Sequence, residues 1–131
     1  MNVVVVDASA GVKWFRAEQG HDVMDDLLER HVQGEVQIHV PPIFVHEFVH
    51  VACRELGPIR AQALVTRLAG WGIAVHPLSG RLIAEALAVV EERGAAFYDA
   101  QATALARMLG TPLYSADVRA HGKESGAVIV G

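Results

Sequence analysis

The chain has very little cysteine: its single thiol, Cys53, leaves no internal disulfide framework. One thiol fits a reducing compartment, and we expect Cys53 to be buried in an apolar helix. Although 52% of the residues are hydrophobic, no uninterrupted apolar run approaches the ~20 residues of a membrane-spanning helix. The opening stretch, MNVVVVDASAG, also lacks the basic leader of a secretory signal. We therefore expect a cytoplasmic protein without a membrane partner.

Basic residues are also few, because 11 Lys and Arg face 15 Asp and Glu, for a formal net charge of -4. This balance argues against a nucleic-acid partner, since phosphate binding usually leaves a basic footprint. The argument weakens if four acids bind divalent cations, because the remaining acids then equal the Lys and Arg in number. Net charge alone therefore does not decide the class of partner.

The hydrophobic pattern predicts short strands that alternate with helices within one domain, residues 1–131. Apolar, often β-branched runs predict strands at 2–6, 36–40, 71–77, 112–116 and 127–130. Helical spacing and end signals predict helices at 22–32, 43–56, 59–70, 80–93, 99–110 and 117–121. This alternation is typical of an α/β domain with a parallel sheet of four to five strands covered by helices.

One motif in the helix at 43–56 points to zinc. His46, Glu47 and His50 fit the pattern in which two histidines, four residues apart, bind zinc while the glutamate activates its water. The extended motif requires a glycine and a further histidine, but Cys53 and Leu56 occupy those positions. The zinc interpretation therefore lacks a third ligand.

Three aspartates share a position relative to the predicted elements. Asp7 follows the first strand, Asp99 opens a helix, and Asp117 lies just past the fourth strand. Each alone is explained as a helix N-cap, because aspartate accepts hydrogen bonds from free helix amides. Together they indicate more, because ligands of open parallel sheets bind beyond the carboxyl ends of the strands.

Glu47 differs from these aspartates because it lies within an otherwise apolar helix. A carboxylate directed inward there needs compensation, either from Arg54 on the same helix or from a bound cation. If Glu47 meets Asp7, Asp99 and Asp117, their mutual repulsion is relieved by an ion or by protonation. Oxygen ligands favour Mg²⁺, for which Mn²⁺ can substitute, over zinc.

Four segments together carry a family resemblance. The stretches VVVVDASAGVKWF, PPIFVHEFVHVA, FYDAQATALA and PLYSADVRA resemble, in that order, the acidic motifs of PIN-domain nucleases, most closely the VapC-like toxins of type II toxin–antitoxin systems. The resemblance implies a three-layer α/β/α domain and an Mg²⁺-dependent endoribonuclease that cuts single-stranded RNA regions, commonly in tRNA or rRNA. It also implies a homodimer and a cognate antitoxin protein as partner.

The resemblance assigns the site residues. The acidic quartet falls on Asp7, Glu47, Asp99 and Asp117, and a small hydroxyl residue of the family falls on Ser115. Asp7 and Asp99 are then expected as direct metal ligands, with Glu47 and Asp117 completing the site directly or through water. Lys13, Arg16, Arg54 and Arg81 are candidates to hold RNA phosphates.

Two positions depart from the family pattern, since His50 replaces a common asparagine and Ala102 replaces a frequent tyrosine. Neither change removes an acid, so the metal site is expected to be intact. Two alternatives remain open: a catalytically inactive binding module with this fold, and a zinc hydrolase that uses the histidine motif.

Overall fold

The computed structural model describes residues 2–131, which contain one five-stranded sheet. All strand pairs are parallel, and the strand order is β3-β2-β1-β4-β5. The strands are β1 (Asn2–Val6), β2 (Val36–Val40), β3 (Ala74–Val75), β4 (Leu113–Ser115) and β5 (Ala127–Ile129). The predicted parallel sheet is therefore confirmed, with five strands.

Helices join the strands. They are α1 (Ala8–Gly11), α2 (His21–Val32), α3 (Pro42–Leu56), α4 (Pro58–Gly70), α5 (Gly80–Arg93), α6 (Phe97–Leu109) and α7 (Val118–His121), with a 3-10 turn at Val12–Trp14. The sequence pattern missed α1 and the 3-10 turn, because elements this short show no helical period. Within residues 2–131, no helix combines the length and the apolar character needed to cross a bilayer.

The sheet is covered on both faces. In β1, Val4 and Val6 pack in one apolar cluster with residues of α1 to α4, while Val5 packs in a second cluster with residues of α5 and α6. This alternation follows from the two-residue period of a strand, which sends neighbouring side chains to opposite faces. The predicted three-layer α/β/α architecture is confirmed.

Helix α3 is oriented by one buried stripe. Phe44, Phe48 and Ala52 are fully buried at a spacing of four residues, and Trp14 packs near both phenylalanine rings. The sequence expectation that Cys53 is buried is wrong, because Cys53 follows the stripe by one residue and is turned about 100° away from it. Glu47 precedes Phe48 by one residue, so it lies outside the buried stripe in an exposed position.

The third strand is much shorter than predicted, because only Ala74–Val75 pairs with β2. Helix α4 extends to Gly70, and the chain then reverses through a turn in which Gly72 has a φ of +73°. Such a positive φ favours glycine. The apolar run at 71–77 is therefore mostly turn and loop.

Candidate active site

Five acids line one depression, called here the acidic depression, with a volume of about 340 Å³. They are the four predicted acids and Glu18, which pairs with Lys13. Asp7 follows β1, Asp117 follows β4, Glu47 lies on α3, and Asp99 lies in the first turn of α6. The carboxyl ends of parallel strands meet at one edge of a sheet, which explains why Asp7 and Asp117 are neighbours. The structure thus brings all four predicted acids to one place.

Asp7 is buried and held on two sides. Its Oδ2 accepts hydrogen bonds from the Ser9 backbone nitrogen at 3.1 Å and from Ser9 Oγ at 2.5 Å. Its own backbone nitrogen donates to Tyr114 O at 2.9 Å, which fixes the end of β1 against β4. The predicted capping role of Asp7 is therefore present in α1. Within residues 2–131, that cap uses only one of its two carboxylate oxygens.

Asp117 is also a cap, because its Oδ1 accepts from the Ala120 backbone nitrogen at 3.0 Å at the start of α7. Asp99 is not: α6 begins two residues earlier than predicted, and Ala96 occupies its N-cap position. The Asp99 carboxylate still lies in the first helical turn, where the helix dipole favours negative charge. Capping therefore explains Asp7 and Asp117 in part and leaves Asp99 without that role.

Ser115 lies beneath the acids rather than among them. It is fully buried, and its Oγ accepts from the Asp117 backbone nitrogen at 3.0 Å. Its Oγ also lies 2.7 Å from Nδ1 of His121, a buried histidine that sequence reasoning missed. Nε2 of His121 lies 3.0 Å from the Asp99 carbonyl oxygen, which can only accept, so Nε2 donates. In the neutral ring, Nδ1 then accepts from Ser115.

The electrostatics of the depression disfavour full ionisation. Loss of hydrating water, followed by the charges of Asp7 and Asp99, raises the pKa of Glu47 from about 4.5 to about 7. The pKa of Asp99 is raised as well, first by burial and then by the charges of Asp117 and Asp7. Glu47 as a whole residue is exposed, so solvent screens part of these effects. Arg54, one of the two alternatives for compensating the Glu47 charge, makes no ion pair with it within residues 2–131.

The four carboxylates are suitable ligands for a hard divalent cation, although they do not surround one position closely. In the part of the chain that the structure describes, no three His, Cys, Asp or Glu side chains are close enough to hold an ion as placed. Four carboxylates are the ligand type that Mg²⁺ prefers, and Mg²⁺ commonly binds through one or two carboxylates while keeping several waters. A site of that kind fits the acidic depression.

The zinc motif gains no support from its surroundings. His46 and His50 are both exposed on α3. Across residues 2–131, no third ligand joins them within metal-binding reach. The match to the zinc pattern therefore lacks the context that gives such a motif its meaning.

Two of the four predicted phosphate-binding cations already bind other residues of the chain. Lys13 is buried, and its Nζ lies 3.1 Å from Glu18 Oε1 and donates to Gln19 O at 2.6 Å. Arg16 lines the acidic depression but holds Glu55 with two nitrogens, at 2.6 to 2.9 Å. Lys13 is therefore a structural cation rather than a ligand-binding one.

The other two differ in position. Arg54 is exposed and lines the acidic depression, so it is placed to meet a ligand there. Arg81 is exposed in the first turn of α5, and it does not line the acidic depression.

Comparison with known proteins identifies the family. The PIN domain family model matches residues 4–123. No curated protein matches the chain significantly. Among solved structures, DNA-bound VapBC from Salmonella typhimurium is 16% identical and has a TM-score of 0.73, with 98% of this chain and 97% of that chain covered.

Two further structures extend the comparison. Mycobacterium tuberculosis VapC20, described as a sarcin-ricin loop cleaving toxin, is 17% identical with a TM-score of 0.70 and covers 92% of this chain and 95% of its own. PAE2754 from Pyrobaculum aerophilum is 23% identical with a TM-score of 0.69. The match covers 98% of this chain and 90% of PAE2754. At these identities the structures are similar in fold. The PIN domain family model spans most of the length of this chain, so the chain belongs to the PIN domain family.

Proposed function

We propose that this protein is an Mg²⁺-dependent endoribonuclease that hydrolyses phosphodiester bonds in single-stranded regions of RNA. The observation that carries the proposal is the convergence of Asp7, Glu47, Asp99 and Asp117 on one depression. The raised pKa of Glu47, about 7, supports it, because crowded carboxylates that resist ionisation are stabilised by a cation. Membership in the PIN domain family supports the same reaction class.

Each acid has a role in this proposal. Asp7 and Asp99 bind the ion directly, and Glu47 and Asp117 complete its coordination directly or through water. Bound Mg²⁺, or Mn²⁺ in its place, supplies an activated water and neutralises charge on the phosphate. Ser115 does not bind the ion. It positions the site, because it holds the Asp117 backbone and the His121 ring in place.

We also propose that the protein is the toxin of a toxin–antitoxin pair. The support is its similarity in fold to VapBC of Salmonella typhimurium and to a toxin–antitoxin complex of Klebsiella pneumoniae. The cognate antitoxin is then a protein partner, the active form is a homodimer, and both act in the cytoplasm. The similarity to a toxin that cleaves the sarcin-ricin loop makes structured rRNA, together with tRNA, the substrate class to test first.

The test is cleavage of tRNA and of an rRNA stem-loop by the purified protein, with Mg²⁺ and with EDTA. We expect loop-specific cuts that require the metal. We expect Asp7→Asn and Asp99→Asn to slow cleavage about 100-fold or more, the scale on which a lost electrostatic group slows an enzyme. Asp26→Asn, at an exposed position on α2, is the matched control and should cleave normally. Equal cleavage by the Asp99→Asn variant and the parent protein would reject the assignment.

One observation favours a second candidate, an inactive binding module. Within residues 2–131, no three of the acids are placed to hold an ion together. A folded protein that binds RNA but leaves it uncut, with Mg²⁺ and with Mn²⁺, would establish this alternative. A zinc hydrolase would instead contain one zinc per chain that is lost in the His46→Ala variant.

A further inference from the structure

Two further depressions adjoin the acidic depression and share some of its acids. The first, called here the basic depression, has a volume of about 450 Å³ and includes Asp99 and Asp117 in its wall. The second, called here the aromatic rim, has a volume of about 340 Å³ and includes Glu47 and Asp99. Asp99 lies in the wall of all three depressions, so they meet at the acids.

The basic depression contains three cations that the sequence analysis did not single out. They are Arg93, at the end of α5, and Arg119 and Lys123, in and just after α7. The nearby acid Glu124 is already engaged, because it lies 2.9 Å from Arg107 and 3.8 Å from Arg93. Arg119 and Lys123 are exposed, and within residues 2–131 neither makes an ion pair. Their charge is therefore available to an anion.

The aromatic rim offers a different chemistry. Tyr98 is 63% exposed and lies next to Asp99 in the first turn of α6. Ile43 and Ala96 complete an apolar wall beside it. An exposed aromatic ring beside a cleft is a platform on which a nucleic-acid base can stack.

We propose that a single RNA strand takes a fixed course across these three depressions. A phosphate adjacent to the cleaved bond binds Arg119 and Lys123 in the basic depression. A base on the other side of the cleaved bond stacks on Tyr98. The course deepens the proposed function, because its middle segment lies over the acids assigned to cleavage.

Charge and shape favour RNA over an acidic peptide as the occupant. An acidic peptide would satisfy Arg119 and Lys123, but it would bring carboxylates toward the four acids. A nucleic-acid strand pairs its phosphates with the cations and has uncharged bases for the aromatic rim. RNA binding therefore depends on both Tyr98 and the two cations.

The test measures binding without cleavage, with the full chain in EDTA and a fluorescent single-stranded RNA of about 12 nucleotides. The Arg119→Ala/Lys123→Ala double variant loses two phosphate contacts. Its plot of log affinity against log salt should therefore be shallower by about 1.4, and its affinity in low salt about 10-fold weaker. The matched control is Arg60→Ala/Arg67→Ala, two exposed arginines on α4, which should retain the parent slope.

Tyr98 is tested by a separate pair of variants. Tyr98→Ala should weaken RNA binding about 10-fold without changing the salt slope, and Tyr98→Phe should bind as the parent does. With an oligonucleotide of abasic sugars, the parent and Tyr98→Ala should bind equally. A thermal melt of each variant confirms that these surface changes leave the fold intact.

Three outcomes would overturn the proposed course: no RNA binding by the parent chain, an unchanged salt slope in the double variant, or Tyr98→Ala binding that equals the parent's. Cleavage of the same RNA with Mn²⁺ separates this inference from the proposed function. If the parent cleaves while the variants bind normally, the course is wrong and the ribonuclease assignment remains. If the parent binds with the expected dependences but never cleaves, the course remains and the ribonuclease assignment is wrong.

Discussion

His121 donates a hydrogen bond from Nε2 to the backbone oxygen of Asp99, at 3.0 Å. This bond joins α7 to the first turn of α6 beneath the acidic depression. The other ring nitrogen lies 2.7 Å from Ser115 Oγ, which accepts from the Asp117 backbone nitrogen. One buried ring therefore fixes the backbone positions of two acids that belong to different elements.

The first prediction concerns this ring. His121→Leu should lower the free energy of unfolding by about 2 to 3 kcal/mol, because the Asp99 carbonyl and the Ser115 hydroxyl lose a buried partner. Urea denaturation measures this change. His46→Leu, at an exposed position on α3, is the control and should stay within about 0.5 kcal/mol of the parent. A His121→Leu variant as stable as the parent would show that the ring has no such role.

The second prediction concerns Ser9, whose hydroxyl bonds Asp7 and accepts from the Ala116 backbone nitrogen at 3.0 Å. Ser9→Ala should leave the fold intact and weaken Mn²⁺ binding about 10-fold or more, because groups that orient a metal ligand affect affinity on this scale. Isothermal calorimetry measures the affinity. The control, Ser125→Ala at an exposed position before β5, should bind Mn²⁺ as the parent does. Equal Mn²⁺ affinities in the Ser9→Ala and Ser125→Ala variants would exclude the orienting role of Ser9.

The third prediction follows from the pKa of Glu47, which rises to about 7 on folding. Below pH 4 the carboxyl is protonated in both the folded and unfolded states, so it adds no pH dependence. Between pH 4.5 and 7 the unfolded state ionises first, and the folded state becomes progressively less stable. In EDTA, Glu47→Gln should therefore be more stable than the parent at pH 8 and equal to it at pH 4.

The expected gain at pH 8 is about 1 kcal/mol, after allowance for solvent screening of a partly exposed side chain. Thermal melts across this pH range measure the effect. Glu91→Gln, at an exposed position on α5, should show no such trend. Parallel pH profiles for Glu47→Gln and the parent would contradict the electrostatic account of the depression.

The strongest patterns in the sequence predicted the fold well. The β-branched run of β1 and the four-residue spacing of Phe44, Phe48 and Ala52 depend on packing that repeats along the chain. Elements without such repetition were missed or misplaced. Helix α1 has only four residues. The apolar run at 71–77 predicts a strand, but a turn at Gly72 interrupts it.

Some residues of the candidate site could likewise be predicted from the sequence, and others could not. Asp7 and Asp117 could be found from their positions after strands, and Glu47 from its place in an apolar helix. Asp99 could be found at the start of a predicted helix, and the family resemblance grouped the four acids. The buried link through His121 could not, because α7 has only four residues and its role depends on a contact 22 residues away in sequence. Arg119 and Lys123 were missed because isolated surface cations have no sequence signature. Within residues 2–131, their charges are free because the neighbouring acid Glu124 pairs with Arg107 instead.

The most direct test of the central claim is a titration of the EDTA-treated protein with Mn²⁺, followed by thermal melting. A ligand that binds only the folded state stabilises it, by about 2.7 kcal/mol at 100 times Kd. We predict a saturable rise in Tm for the parent and for the Asp26→Asn control, and little or no rise for Asp7→Asn and Asp99→Asn. An unchanged Tm in the parent, or an equal rise in the Asp99→Asn variant, would contradict the claim that these acids form one divalent-metal site.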